Sequence, residues 1–80
     1  MQDDLRGARF YVGVKQSTEA VVDGSVKVAY IANDADEHVK IPFEELCKEK
    51  GVEICYVQTK QQLGKNFGIN VGAACAVVLD

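Results

Sequence analysis

A catalytic centre needs a nucleophile beside a base, or paired acids in a pocket, and this chain offers few such combinations. Its one histidine, His38, has no serine or cysteine next to it and reads as a lone exposed side chain. Asp34 and Asp36 in "NDADE" superficially resemble the start of a calcium loop. The glycine at the sharp turn and the glutamate at the twelfth position are both missing. Cys47, Cys55 and Cys75 are odd in number and lack C-x-x-C spacing. They read as reduced core residues of a cytosolic protein, with Cys55 and Cys75 inert on buried strands. The stretch "LGKNFGINVG" (63–72) sets Lys65 directly after Gly64. A phosphate-cradling P-loop would need glycine where Thr59 stands and Ser or Thr in place of Asn66. No catalytic residue, metal set or cofactor fingerprint emerges, so a binding module is expected.

Two segments could carry binding. In "VGVKQSTE" a strand ends at Gly13 and a helix starts at once with Lys15 and Gln16. Such a junction exposes unpaired backbone N–H groups and projects a cation and a carboxamide from the first turn. Gly13 would let another backbone approach closely. Lysine can donate to guanine O6 and N7, and a carboxamide can both donate and accept at a base edge. An ordinary surface helix start is the alternative. The second segment is "INVG", a short connection with two β-branched apolar residues, Ile69 and Val71, around Asn70. Either side chain could tuck inward to begin the next strand, or the pair could form an apolar tip over a flat partner such as an unstacked base.

These residues must be positioned by regular elements. "RFYVGV" (9–14) alternates as a strand, and "KQSTEAVVD" (15–23) continues as a helix to its stop at Gly24. "VKVAYIA" (26–32) is a second strand, and "NDADEHVKI" a polar loop or frayed helical turn. Pro42 is expected to open the next helix, where its missing N–H costs nothing. Phe43, Leu46 and Cys47 supply the apolar stripe of that helix, and Gly51 ends it. "EICYVQ" (53–58) is a third strand. Thr59 and Gln62 form a T-x-x-Q capping box for a helix through Phe67, closed by Gly68. Gly64 lies inside that helix at a cost of about 1 kcal/mol relative to alanine, so something should pack close to it. "AACAVVL" (73–79) is an apolar run suited to a strand buried on both faces. With a short N-terminal helical turn ahead of it, this order indicates a single α/β domain over residues 1–80, helices packed on a largely buried sheet.

The chain has 80 residues, 48% hydrophobic and 26% charged, a composition far from disorder. No apolar run is long enough for a membrane span, so no membrane partner is expected. The net charge of −3 is unevenly spread. Residues 34–53 hold seven carboxylates against Lys40, Lys48 and Lys50, whereas 54–79 hold Lys60 and Lys65 with no acid, and 5–18 hold Arg6, Arg9 and Lys15 with none. An acidic flank beside two cationic segments is a polarised surface. A protein-interaction module using the acidic 34–53 face is therefore an alternative to nucleic-acid binding.

The blocks "GVKQSTEAV", "GSVKVAYIANDAD", "IPFEELCKEKGVEICYV" and "TKQQLGKNFGINVGAA", in this order and spacing from about Arg9 to Leu79, resemble the kink-turn-binding ribosomal-protein family. The family is that of the L-seven-Ae and L-thirty-e proteins, and the resemblance is strongest to its bacterial YbxF-like branch. It implies a three-layer α/β/α sandwich with a four-stranded mixed sheet, no catalytic activity, and a cytoplasmic monomer. The implied partner is a kink-turn in ribosomal RNA or a riboswitch: a duplex bent at a bulge beside tandem sheared G·A pairs. The family's G-x-N-E-x-x-K signature falls on Gly13 to Glu19. Lys15 stands for the asparagine and Gln16 for the glutamate, and both can still bond guanine edges. Glu19 replaces a phosphate-contacting lysine and turns attraction into repulsion. The resemblance further implies that Asp36 accepts from an extruded base, that Lys60 lies beside the bulge, and that Ile69, Asn70 and Val71 cap the extruded nucleotide.

Overall fold

The computed structural model describes residues 9–79. The expected N-terminal helical turn lies outside the described residues. Seven elements follow in order: β1 (Phe10–Val12), α1 (Val14–Asp23), β2 (Val26–Ala32), α2 (Glu37–Lys50), β3 (Glu53–Val57), α3 (Lys60–Asn66) and β4 (Cys75–Leu79). The four strands form one sheet in the order β1-β4-β2-β3. β2 and β3 run parallel, while β4 is antiparallel to both β1 and β2. The sheet is therefore mixed, as the resemblance implied.

Strand periodicity divides the core into two layers. Ala29 and Ile31 of β2, with Cys75 and Val77 of β4, pack against Ala20 and Val21 of α1 and Phe43 and Cys47 of α2. The alternate residues Val28, Tyr30, Ala76 and Val78 face the other way, onto Leu63 and Phe67 from α3 and its end. Phe10 and Tyr30 hold the Phe67 ring between them, with centroids 5.0 and 5.5 Å away. This is the three-layer α/β/α sandwich. The continuous apolar run of β4 follows from its place between two strands and under helices on both faces: Cys75, Ala76, Val77 and Val78 are all buried.

Several boundaries differ from the sequence expectation: β1 is Phe10–Val12 rather than 9–14, α1 starts at Val14 rather than Lys15, and β3 ends at Val57 rather than Gln58. Three further shifts follow. Pro42 does not open α2; the helix begins five residues earlier, at Glu37, with Asp36 as its N-cap. The Asp36 carbonyl accepts the Val39 and Lys40 N–H groups at 2.9 and 2.8 Å. Val39 lines the groove between α1 and α2 with Phe43 and Leu46. Only the hydrogen bond to the His38 carbonyl is forfeited at Pro42. The third helix ends at Asn66 rather than Phe67, which caps it. Its N-cap is as expected, the Thr59 hydroxyl accepting the Gln62 N–H at 3.0 Å. The last strand begins at Cys75 rather than Ala73, because the Ala73 N–H bonds the Lys60 carbonyl at 3.1 Å instead of a neighbouring strand.

Cys55 is a further correction. It lies half-buried, since β3 is an edge strand, whereas Cys47 and Cys75 are buried and all three thiols are free. Burial, with a smaller contribution from Glu44, pushes the Cys47 thiol up to about 11. Burial likewise pushes Cys75 to about 11, opposed in part by the Ser17 hydroxyl. Ser17 is itself buried without a hydrogen bond of good geometry. Both thiols stay protonated and behave as small core residues.

Candidate nucleic-acid interface

The sheet topology gathers the candidate segments at one end. β1, β2 and β3 all finish there and β4 starts there, so the segments 13–16, 33–36, 58–60 and 67–74 share that end. Backbone hydrogen bonds stitch them together. The Gly13 N–H donates to the Cys75 carbonyl at 2.9 Å, the Ala32 N–H to Ala74 at 2.9 Å, and the Asn33 N–H to Val57 at 2.7 Å.

The first half of the site is the start of α1. Gly13 takes φ +112, a conformation that side-chain-bearing residues rarely adopt, and this bends the chain from β1 straight into the helix. A side chain added at Gly13 would meet no other part of this chain within 4 Å, so the space above its α-carbon is open to another backbone. The Gly13 carbonyl accepts the Ser17 N–H at 3.0 Å and closes the first turn. Lys15 and Gln16 project from that turn and are exposed, while Ser17 and Ala20 hold the other face of α1 in the core. No acidic residue lies in the first turn, leaving the Lys15 cation and the positive helix end unopposed there. Glu19 is exposed one turn further on, beside Gln16 in a cleft that also includes Tyr11 and Asp23. Its charge therefore meets whatever lies along this helix.

The second half is the loop after α3. The Gly64 carbonyl accepts the N–H groups of both Phe67 and Ile69 at 3.0 Å, folding the loop back over the helix. A side chain at Gly64 would overlap the Val71 carbonyl and press on the Ile69 side chain, which is the close packing anticipated for a glycine inside a helix. The two apolar loop residues part company. Ile69 turns inward and packs on the cluster around Leu63 and Phe67. Val71 is 67% exposed, the most exposed large apolar side chain among the described residues. Asn70 between them is exposed. The tip offered to a partner is thus Val71 with Asn70, on a base formed by Ile69.

Lys60 and Asp36 complete the end. Both are exposed, Lys60 at the first position of α3 and Asp36 at the N-cap of α2. One residue at this end had no place in the sequence reading of the site: Asp34, whose Oδ1 accepts the Lys60 backbone N–H at 2.8 Å. In the sequence it figures only in a failed calcium pattern, because its partner lies in a different loop. Lys40 also reaches this end, its Nζ donating to the Asn33 carbonyl at 3.3 Å. Among the described residues no group of His, Cys, Asp and Glu could hold a metal ion. No helix among them is long and apolar enough to cross a membrane.

The three-layer domain thus places a cation and a carboxamide at one helix start and an apolar loop tip at the same end of the sheet. The chain belongs to the ribosomal protein L7Ae/L30e/S12e/Gadd45 family, whose sequence profile matches residues 2–80. It is 49% identical over 65 residues to an RNA-binding protein of Caldanaerobacter subterraneus subsp. tengcongensis, spanning 81% of this chain and 79% of that one. To an RNA-binding protein of Bacillus pumilus it is 40% identical over 68 residues, covering 85% and 83%. The large ribosomal subunit protein eL8 of Halobacterium salinarum is 34% identical over 68 residues, and the match covers 57% of that longer protein. The Giardia lamblia 15.5kD RNA binding protein superposes with a TM-score of 0.81 at 24% identity, over 89% of this chain and 60% of that one, a likeness of fold.

Proposed function

We propose that this protein is a non-catalytic RNA-binding protein that recognises and stabilises kink-turn RNA. The observation that carries the reading is the convergence of the Gly13–Gln16 helix start with the 69–71 loop and Lys60 at one sheet end. Membership of the family, and relatives named as RNA-binding and ribosomal proteins, support RNA as the partner.

On this reading Lys15 and Gln16 enter the widened major groove at the tandem sheared G·A pairs and bond guanine edges. Regular A-form RNA keeps that groove too narrow for side chains. Gly13, with open space above its α-carbon, lets the RNA come close to the backbone. Val71 and Asn70 cover the extruded bulge nucleotide from a platform made rigid by Ile69. Lys60 supplies a positive charge beside the bulge, and Asp36 an acceptor for the extruded base. Glu19 sits where the helix passes the RNA backbone and holds affinity down.

The test is a titration of a kink-turn RNA against the same RNA with its G·A pairs replaced by Watson–Crick pairs, at matched salt. Preferential binding to the first is expected. Equal affinity for both would remove the kink-turn assignment and leave only general RNA attraction.

A further inference from the structure

The two halves of the proposed site are not held in the same way, and one side chain ties the second half to the end of β2. The peptide units flanking Lys60 are gripped from both directions. On one side the Lys60 N–H donates to Asp34 Oδ1 at 2.8 Å. On the other the Lys60 carbonyl accepts the Ala73 N–H at 3.1 Å. Gly72 lies against the same residue; a side chain there would come within 3.2 Å of the Lys60 Cβ. Asp34 is in turn anchored through its neighbour, since the Asn33 N–H donates to the Val57 carbonyl at 2.7 Å. Asp34, Lys60, Gln61 and Gly72 line one open cleft between the loop after β2 and the loop before β4.

We infer that Asp34 is a positioning residue for RNA recognition, resting on the RNA-binding reading above. It ties the start of α3, and through Lys60 the 69–72 loop, to the end of β2. α3 has only seven residues and cannot hold its own start by a long hydrogen-bond ladder. Thr59 satisfies the Gln62 N–H, and Asp34 satisfies the Lys60 N–H; both are first-turn donors without helical partners. A carboxylate accepting a backbone N–H is among the stronger hydrogen bonds available. Losing it removes one of the two grips on Lys60 and leaves the Ala73 N–H and the Thr59 cap to hold the start of α3. The Lys60 ammonium and the Val71 tip then lose their fixed distance from Lys15 and Gln16, which are held independently through Gly13 and Cys75.

The test compares Asp34→Ala, Asp34→Asn, Lys60→Ala and the Asp34→Ala/Lys60→Ala pair in the full chain. Each is titrated with a kink-turn RNA and with the same RNA carrying an abasic bulge nucleotide. Asp34→Ala is expected to weaken binding to the intact RNA by roughly 10-fold, the scale of one hydrogen bond to a charged group. Its effect on the abasic RNA should be much smaller. Lys60→Ala should cost less in the Asp34→Ala background than alone, because the lysine is no longer positioned. Asp34→Asn, whose amide oxygen still accepts, should retain most of the affinity. In the free protein, Asp34→Ala should speed hydrogen exchange at the Lys60 amide while leaving the Gly13 amide protected.

Equal loss on both RNAs with strict additivity to Lys60→Ala would overturn the inference, as would an unchanged Lys60 exchange rate. A parent chain that does not distinguish a kink-turn from its Watson–Crick control would overturn the RNA assignment and this inference together. A parent that does distinguish them, with Asp34→Ala binding like the parent, would overturn this inference alone.

Discussion

The start of α1 and the loop after α3 lie at the same end of the sheet but are built on different principles. α1 is entered through Gly13, hydrogen-bonded to the central strand β4, buries Ser17, and sets Ala20 and Val21 in the larger core cluster. The residues proposed to read RNA there ride on a rigid element, which suits contacts that must read base edges to within about 0.5 Å. The 69–71 segment hangs from a seven-residue helix and is held by the Gly64 approach, the Ile69 contact and the Lys60 peptide. A cover over a flat base tolerates more freedom than a hydrogen-bonding reader. The difference separates residues whose loss should cost affinity alone from residues whose loss should cost the loop itself.

The sharpest way to break this comparison is Gly64→Ala. Alanine gains about 1 kcal/mol of helix propensity. Overlap with the Val71 carbonyl belongs to the overpacking class, about 1–3 kcal/mol and occasionally more, and here the obstacle is backbone that cannot rotate away. With the overlap against backbone placing the cost at the upper end, about 3 kcal/mol, a net loss of about 2 kcal/mol is expected, lowering the melting temperature by roughly 8–16 °C for a domain of this size. RNA affinity should fall with it, as the loop is displaced. A melting temperature at or above the parent's would show that the loop moves aside freely.

Lys15→Ala should do the opposite: leave the melting temperature unchanged and weaken kink-turn binding by about 1–3 kcal/mol, the scale of a base-edge contact. Unchanged affinity at matched salt would remove α1 from the reading role.

The loop can be dissected with Val71→Ser and Ile69→Ser on one preparation each. Val71, 67% exposed, should cost about 1 kcal/mol of affinity at nearly constant melting temperature. Ile69, packed on the Leu63–Phe67 cluster, should cost about 1–2 kcal/mol of stability. Thermal unfolding and RNA titration together tell the two apart. A reversed pattern would mean that the loop repacks on binding.

The smallest effect is expected from Glu19→Lys. It should tighten RNA binding and steepen the salt dependence by about one phosphate contact, without changing the fold. If neither quantity moves, the RNA backbone does not run along α1 beyond its first turn.

Much of this architecture was legible in the residues. The strand–helix alternation, the helix stops at Gly24 and Gly51, the Thr59–Gln62 cap and the buried β4 all rest on signals a few residues long. Those signals act through local backbone geometry and periodicity, so no distant partner is needed to express them. Gly64 was also legible, as an unfavourable helix residue that needed a packing reason. The early start of α2 was not, because Pro42 is a strong local signal for a helix start, yet the helix runs through it from Glu37. The opposite fates of Ile69 and Val71 could not be separated by pattern, since both are β-branched and apolar and differ only in which one meets the α3 face. Asp34 lay beyond local reasoning altogether: its hydrogen bond spans 26 residues of chain and exists only because parallel pairing of β2 with β3 brings their ends side by side. Local stereochemistry thus determined which elements form and where most of them stop. Strand order and packing decided which of their ends meet, and so which side chains make a site.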